Sequence, residues 1–253
     1  MPVAIITGAN SGIGRATAVM LAGRGFDIGI TWHADEDGAR EAAAECQSYG
    51  VRTAARRMDL EADVGQAAVV DELDDDLGGV DVFVNNAGGG HGAPVLELGL
   101  DDWQRTIDLG LTGAFLCLQR AGRRMADQGR GGRLIAVTSI HEHLPLRDNA
   151  AYGAAKAGLG MLVKSLALEL GPLGITANAV APGEIATKMT GQEDEDPRES
   201  GEQRDLPIPR PGHAREIAAA VAFLASPEGA YTTGHSLLVD GGMALMGPVA
   251  NRS

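Results

Sequence analysis

The stretch ITGANSGIGRA, residues 6–16, carries three glycines at the spacing G-x3-G-x-G: Gly8, Gly12 and Gly14. It follows the apolar run VAIIT (3–7) and leads into a segment rich in Ala and Leu (12–23). A strand, a glycine turn and a helix in this order let the backbone approach a pyrophosphate, which the positive end of the helix attracts. The stretch therefore predicts the first unit of a dinucleotide-binding fold. A glycine-rich turn without a ligand is the alternative.

The rest of the chain repeats this alternation of strand and helix. Further apolar runs that indicate strands are FDIGITW (26–32), VRTAARR (51–57), VDVFVNN (80–86), GRLIAVTS (132–139), GITANAV (174–180) and HSLLVD (235–240). Segments rich in Ala, Leu, Glu and Arg indicate helices at 12–23, 36–48, 64–77, 103–126, 152–170 and 214–225. Such alternation forms parallel sheets with helices on both faces. We predict a single α/β domain over residues 1–253, with a doubly wound, Rossmann-like parallel sheet of about seven strands.

One segment departs from the alternation. Residues 187–213 are polar and acidic, contain several prolines, and are too long for a plain connection. Long loops of this kind often close over a bound ligand and exclude water. We predict a substrate lid over residues 188–210.

Composition restricts the partners of the chain. Its 253 residues carry a net charge of -13, a field that repels nucleic acid and anionic membranes. No apolar run approaches the roughly 20 residues of a transmembrane helix, and no basic leader precedes the first strand. Cys46 and Cys117 make no disulfide framework. We expect a cytoplasmic protein that acts on a small molecule and binds neither nucleic acid nor membrane.

Tyr152 and Lys156 stand four residues apart in AAYGAAKAG (150–158), among alanines and glycines. On a helix the two side chains share a face. An ammonium group one turn away favours the phenolate and lowers the pKa of the phenol, which suits Tyr152 to exchange a proton with an alcohol oxygen. A surface tyrosine on an amphipathic helix is the alternative. Ser139 ends a predicted strand at the carboxyl edge of the sheet, where its hydroxyl could bind a substrate oxygen.

Together these residues resemble the classical short-chain dehydrogenase/reductase family over nearly the whole chain. The motifs that carry the resemblance are TGANSGIG (7–14), MDLEAD (58–63), NNAG (85–88), Ser139, YGAAK (152–156), APG (181–183) and VDGG (239–242). The resemblance implies hydride transfer between a nicotinamide cofactor and a carbonyl or alcohol. Tyr152 would be the acid/base, Lys156 would lower its pKa and hold the nicotinamide ribose, and Ser139 would orient the carbonyl oxygen. The family also implies a homotetramer packed through helices near 103–126 and 152–170.

The resemblance also assigns cofactor contacts. They are Gly8, Ser11, Gly12, Ile13 and Gly14 in the glycine turn; Asp59 and Asn86, which would flank the adenine side; Ile185 and Thr187, which would meet the nicotinamide end; and Leu60, Ala87, Gly88, Tyr152, Lys156, Pro182 and Gly183. Members that select NAD place an acid at the end of strand two. Here Trp32 takes that place and His33 follows, which could favour a phosphate. We predict a preference for NADP(H), with NAD(H) as the alternative.

Gly110 marks one departure from the family. It stands in WQRTIDLGLTGAF (103–115), where the family usually has the asparagine of an Asn-x-x-Gly pattern. That asparagine helps to hold a water in a proton relay to the lysine, and glycine keeps only the backbone carbonyl. We predict an active enzyme, whose turnover a Gly110→Asn substitution would raise by about tenfold if the relay is limiting.

The substrate is indicated by the loop SIHEHLP (139–145) and the ending VDGGMALMGP (239–248), which resemble bacterial glucose dehydrogenases of the family. His141, Glu142 and His143 are therefore candidates for contacts with substrate hydroxyl groups. No metal is predicted there, since a structural site needs more ligands than an H-x-H pair. We predict a small carbonyl or alcohol as the substrate, a class that includes sugar-like alcohols.

Two other functions remain open from the sequence. A 3-oxoacyl-carrier-protein reductase should present basic residues to its acidic partner; Arg130 stands at one such docking position, but Leu173 stands at the other. A non-catalytic dinucleotide sensor would need the glycine turn without the Ser139, Tyr152 and Lys156 set.

Overall fold

The computed structural model describes residues 1–187 and 206–246. Its strands are β1 (Val3–Ile6), β2 (Asp27–Trp32), β3 (Thr53–Arg57), β4 (Val82–Asn85), β5 (Gly132–Val137), β6 (Ile175–Pro182), β7 (Ile185–Ala186), β8 (Gly212–His213) and β9 (Ser236–Val239). Seven of them form a parallel sheet in the order β3-β2-β1-β4-β5-β6-β9, which confirms the predicted fold. The strand order reverses direction between β1 and β4, and open α/β sheets bind ligands at the carboxyl edge of such a point.

Helices cover both faces of this sheet. The helices α1 (Gly12–Ala22), α2 (Glu36–Gln47) and α7 (Ala214–Ala225) pack on one face, and α3 (Val69–Leu77), α5 (Gly113–Gln128) and α6 (Ala150–Leu170) on the other. A further helix, α4 (Leu100–Ile107), packs against α6. Side chains alternate along each strand, so in β1 Ile5 faces the second group while Ala4 and Ile6 face the first. The central strands are apolar on both sides because both sides are covered.

The predicted helix 103–126 is not continuous. Helix α4 begins three residues earlier than predicted, at Leu100, and a π-helical turn at Asp108–Thr112 separates it from α5. Gly110 is buried within this turn, and a Cβ atom there would lie 3.1 Å from Cβ of Ala155 on α6. The missing side chain therefore lets the turn approach α6 closely. The predicted helix 64–77 also differs, because its first part is a 3₁₀ helix at Val64–Ala68.

The segment 187–213 is tethered at both ends. Strand β7, just before it, pairs in parallel with β8, which forms its last two residues, through Ile185 with Gly212 and Ala186 with His213. Most of the predicted lid lies outside the described residues, which resume at 206. Within the part of the chain that the structure describes, no helix is long and apolar enough to span a membrane.

Candidate active site

A cavity of about 1010 Å³ opens at the carboxyl edge of the sheet. The predicted residues that line it are Gly8, Ser11, Gly12, Ile13, His33, Asp59, Leu60, Asn86, Ala87, Gly88, Ser139, His141, Tyr152, Lys156, Pro182, Gly183, Ile185 and Thr187. Gly14, Glu142 and His143, which were predicted with them, do not line it. The topology thus brings segments far apart in the chain to one cleft.

The glycine turn forms one end of this cleft. Gly8 and Gly12 have φ values of +63° and +53°, a left-handed backbone that side chains rarely adopt. A Cβ atom at Gly14 would lie 2.3 Å from the carbonyl oxygen of Gly8, so Gly14 serves the packing of α1 against the turn rather than the cavity wall. The backbone here is shaped so that a phosphate can approach the start of α1, and these residues fit the pyrophosphate of a dinucleotide.

Thr7 and Asn86 join the glycine turn to the end of β4. The Thr7 hydroxyl accepts hydrogen bonds from the amides of Asn86 and Ala87, both at 2.9 Å. The Asn86 side-chain amide donates to the carbonyls of Thr7 and Gly8, at 2.9 and 3.0 Å. The Thr7 hydroxyl thus fixes the backbone of the cleft.

A charged cluster lies at the ends of β2 and β3, beside the cleft. The His33 ring is 3.1 Å from the Asp59 carboxylate. Arg57 donates to the backbone carbonyl of His33 at 3.0 Å and to Asp59 at 3.3 Å. Arg57 was not predicted from the sequence, because only the strand pairing shows that it stands opposite Trp32. The side chains of His33 and Arg57 are both more than half exposed, at 54% and 56%.

Ser139, Tyr152 and Lys156 meet at the other end of the cleft. The hydroxyl groups of Ser139 and Tyr152 are hydrogen-bonded. The Lys156 ammonium lies 5.6 Å from the centre of the Tyr152 ring and donates to the Val137 carbonyl at 3.0 Å. Helix α6 therefore carries both groups on the face that meets the end of β5.

Burial dominates the proton equilibria of this group. It raises the pKa of Tyr152 above its usual value, and the hydrogen bond with Ser139 opposes that rise. It lowers the pKa of Lys156 to about 8, and the charge of Glu142 opposes that fall. Lys156 was predicted from the sequence to lower the pKa of Tyr152, whereas in the structure Ser139 has that effect.

Of the three predicted substrate contacts, the structure brings one to the cavity. The His141 ring stands edge-on to that of Tyr152, with centroids 6.3 Å apart. Its Nδ1 is 3.1 Å from the Leu144 carbonyl, which can only accept, so the proton sits on Nδ1 and leaves Nε2 as an acceptor. Glu142 and His143 turn instead towards Ser236 on β9, at 3.0 and 3.2 Å. The sequence shows three polar residues in a row after the end of β5, but it does not show which of their side chains point into the cavity.

The cavity is also lined by residues that were not predicted from the sequence. They are Gly90, Leu146, Arg147, Asp148, Asn149 and Met243. Asp148 has a φ of 60°, the only positive value at a non-glycine residue within the described ranges. Its carbonyl accepts a hydrogen bond from Ala93 at 2.7 Å, which ties this loop to the one after β4. Asp tolerates a left-handed backbone, so the sequence RDNA (147–150) is typical of a turn. This turn signal is the one feature of the sequence that could have predicted this part of the cavity wall.

The chain matches known proteins over almost its whole length. A family model described as Enoyl-(Acyl carrier protein) reductase matches residues 8–244. The uncharacterized oxidoreductase YohF of Escherichia coli strain K12 is 49% identical over 249 residues, 98% of each chain. The solved structure of acetoin dehydrogenase YohF from Salmonella typhimurium superposes with a TM-score of 0.91 at 46% identity, covering 98% of this chain and 100% of that one. Glucose 1-dehydrogenase 2 of Bacillus subtilis is 35% identical over 96% of this chain and 94% of its own. Both resemblances drawn from the motifs are confirmed.

Proposed function

The chain belongs to the short-chain dehydrogenase/reductase family and is an NAD(P)-dependent oxidoreductase, and on that premise we propose that it interconverts a small carbonyl compound and its alcohol at Tyr152. The observation that carries the proposal is the meeting of Ser139, Tyr152 and Lys156 in the cavity that also contains the glycine turn. When bound, the nicotinamide cofactor supplies or accepts the hydride. Movement of the proton falls to the side chains of this chain.

In carbonyl reduction, Tyr152 donates its phenolic proton to the substrate oxygen. The Ser139 hydroxyl donates a hydrogen bond to the same oxygen and fixes its position, and the Lys156 cation stabilises the phenolate that remains. Because burial raises the pKa of Tyr152, the phenol is protonated at neutral pH and ready to act as an acid. Lys156 is charged below its pKa of about 8, so reduction should slow as the pH rises through that value. Oxidation starts from the phenolate and should instead gain as the pH rises towards 8.

For the cofactor we infer a preference for NADP(H). His33 and Arg57 place two basic groups at the end of β2, beside the carboxylate of Asp59. A 2′-phosphate would gain charged hydrogen bonds there, which an unmodified ribose could not match. Steady-state kcat/KM for both cofactors tests this, and His33→Asp should favour NAD(H) by about tenfold relative to the wild type.

Arg57→Gln should likewise lower kcat/KM for NADP(H) more than for NAD(H). Arg56→Gln is the matched control, because Arg56 pairs with Glu72 and Asp76 instead of with the cleft residues. A wild-type preference for NAD(H), or equal effects of the two arginine substitutions, would contradict the inference.

For the substrate we propose an acyloin or a small sugar-like alcohol, in which a hydroxyl stands next to the reacting carbon. Support comes from the likeness to an acetoin dehydrogenase and a glucose dehydrogenase. His141 is the polar ring beside Tyr152, and its free Nε2 suits a neighbouring hydroxyl. A panel of acetoin, diacetyl, aldoses, simple ketones and an acetoacetyl carrier-protein thioester, with both cofactors, tests the choice. His141→Phe should reduce kcat/KM for the hydroxylated substrates more than for simple ketones.

Reduction of a carrier-bound acyl group is the second candidate, because the matching family model is named for carrier-protein substrates. Arg130, one of the two docking positions, is held by Asp81 at 2.7 Å, and the chain carries a net charge of -13. A like-charged partner would associate slowly. Turnover of the carrier thioester that exceeds every free carbonyl by orders of magnitude would replace the first candidate. A non-catalytic sensor is not favoured, since the chain is an oxidoreductase by family.

We also propose a cytoplasmic homotetramer whose 188–210 segment closes over bound ligands. Helices α5 and α6 expose Phe115, Met161 and Leu168, at 38%, 61% and 81%. Apolar side chains in these positions support packing against other copies through the same helices. Light scattering should give four chains per particle, and Met161→Glu should reduce that number.

Proteolysis within 188–210 should slow when cofactor and substrate analogue are present; equal rates with and without these ligands would count against the lid.

A further inference from the structure

Glu142 is a buried carboxylate behind the reaction end of the cavity. Its side chain is 4% exposed, and Oε2 accepts a hydrogen bond from Ser236 at 3.0 Å. Oε1 occupies the space of a missing side chain on α6, since a Cβ atom at Gly160 would lie 2.1 Å from it. Burying a charge is costly unless it meets an opposite charge or several donors. The space above Gly160, which we call the seat of Glu142, thus holds a charged group, although an apolar group there would cost less desolvation free energy.

The second buried charge lies one helical turn away. Lys156 is 4% exposed and precedes Gly160 by four residues, so both positions belong to one face of α6. Its ammonium donates to the Val137 carbonyl, its one contact to a protein acceptor among the hydrogen bonds of the described residues. The carboxylate of Glu142 therefore lies against the same face of α6 as Lys156, about one helical turn further along, and the two groups form no direct ion pair among the described residues.

The turn after β5 fixes this arrangement to the reaction site. The Glu142 amide donates to the Ser139 carbonyl at 2.9 Å, and the Ser139 hydroxyl accepts from the His141 amide at 3.2 Å. A single 3₁₀ turn, Ile140–Glu142, therefore points Ser139 and His141 into the cavity and Glu142 towards α6. A movement of Glu142 would be transmitted to Ser139 through one hydrogen bond.

We propose that Glu142 is a positioning residue for proton transfer: its buried carboxylate, seated at Gly160, keeps Lys156 charged and aimed at Tyr152. The inference rests on the role proposed above for Lys156. Glu142 thereby positions Lys156 from inside the protein, in place of the substrate contact that the sequence suggested.

The ionisable groups around the pair define the sign of the effect. Tyr152 on α6 faces Lys156, β5 offers the Val137 carbonyl and the loop after β4 offers Gly88, while the charge of Glu142 acts on Lys156 from one helical turn further along. His143 faces Glu142 at 3.8 Å. Burial already lowers the pKa of Lys156 to about 8, and the carboxylate limits that fall. Removing the carboxylate should therefore lower the pKa of Lys156 further, so that its charge is lost nearer to neutral pH.

The first test measures Lys156 directly, in the protein without cofactor. The chain has lysines only at 156, 164 and 188, so an amine-acylating reagent and peptide mass spectrometry can follow each one separately. The acylation rate of Lys156 against pH should give a midpoint near 8 in the wild type and about one unit lower in Glu142→Gln. Lys164, which is exposed, should keep its midpoint in both. An unchanged Lys156 midpoint in Glu142→Gln would overturn the proposal.

The second test is kinetic. A downward shift of one unit predicts that Glu142→Gln reduces kcat/KM for carbonyl reduction by about fivefold at pH 8 and by less than about twofold at pH 6. Glu142→Asp keeps a charge on a shorter arm and should give a smaller shift of the same sign; it serves alone if the Gln variant does not fold. Glu169→Gln, the same charge change at an exposed site on α6, should leave the profile unchanged.

The outcomes separate this proposal from the proposed function. If Lys156→Met abolishes turnover but Glu142→Gln lowers it equally at every pH, Glu142 has a structural role only and the present inference fails alone. If Lys156→Met retains full turnover, the role of Lys156 fails as well. In a Lys156→Met background with residual activity, Glu142→Gln should add little further loss, whereas independent structural damage would add in full.

Discussion

The two ends of the cleft are built in different ways. At the dinucleotide end the backbone makes the site: Gly8 and Gly12 adopt left-handed conformations, Gly14 admits a close carbonyl, and Asn86 bonds to main-chain oxygens. At the reaction end, buried side chains make it, above all Lys156 on α6 and Glu142, whose carboxylate lies against the same helix at Gly160. Backbone requirements restrict a position to one residue type, so they are visible in a short motif. The direction and charge state of a buried side chain depend on its neighbours in space.

The largest expected effect breaks the reaction end alone. Tyr152→Phe removes the proton donor and keeps the ring, so we expect kcat to fall by about a thousandfold. The dissociation constant for cofactor, from fluorescence titration, should change by less than about threefold, because the glycine turn is untouched. Retention of more than a tenth of wild-type kcat would show that another group supplies the proton.

The next effect breaks the dinucleotide end alone. In Gly14→Ala the new Cβ would lie 2.3 Å from the Gly8 carbonyl oxygen and 2.8 Å from Cα of Ala9, so the turn itself must move. We expect the dissociation constant for cofactor to rise by about a hundredfold, measured by titration calorimetry. Gly171→Ala is the control, since a Cβ there meets nothing within 4 Å. Equal cofactor affinities of the two variants would contradict the hypothesis that the backbone of the glycine turn forms the dinucleotide site.

The same contrast between backbone and side chains explains which features of the structure could be predicted from the sequence. Strand and helix alternation predicted the seven-stranded parallel sheet, because apolar runs and glycine turns are local signals. The π-helical turn at Asp108–Thr112 escaped prediction, since it depends on the approach of α6 to Gly110. Arg57 was missed because its place beside His33 comes from strand pairing. Glu142 was expected to face the substrate, and only the seat at Gly160 shows that it faces α6.

A smaller effect sharpens the reading of the reaction end. Gly160→Ala would place a Cβ atom 2.1 Å from Oε1 of Glu142, so the carboxylate must leave its seat. We expect a loss of about 1–3 kcal/mol in the free energy of unfolding, from urea denaturation. Gly153→Ala on the same helix is the control: its Cβ would lie 3.9 Å from the nearest atom, the His141 carbonyl oxygen, and the higher helix propensity of Ala should stabilise by up to about 1 kcal/mol. Similar stabilities of the two variants would show that Glu142 moves away without cost.

The smallest effect concerns Gly110, which is buried in the π-helical turn that packs against α6. If the missing asparagine side chain limits the proton relay, Gly110→Asn should raise turnover by up to about tenfold, which is equivalent to lowering the activation free energy by roughly 1.4 kcal/mol. The structure sets a cost against that gain, because any Cβ at this position stands 3.1 Å from Cβ of Ala155, next to Lys156 in the chain. Gly110→Ala carries the same Cβ without the amide and measures the cost alone, and Ala155→Gly in both backgrounds should relieve it. We therefore expect the turnover of Gly110→Asn to exceed that of Gly110→Ala, most clearly with Ala155→Gly present. Equal turnover of the two variants in that background would mean that the side chain at 110 is not needed and that proton transfer depends on the buried groups of the reaction end.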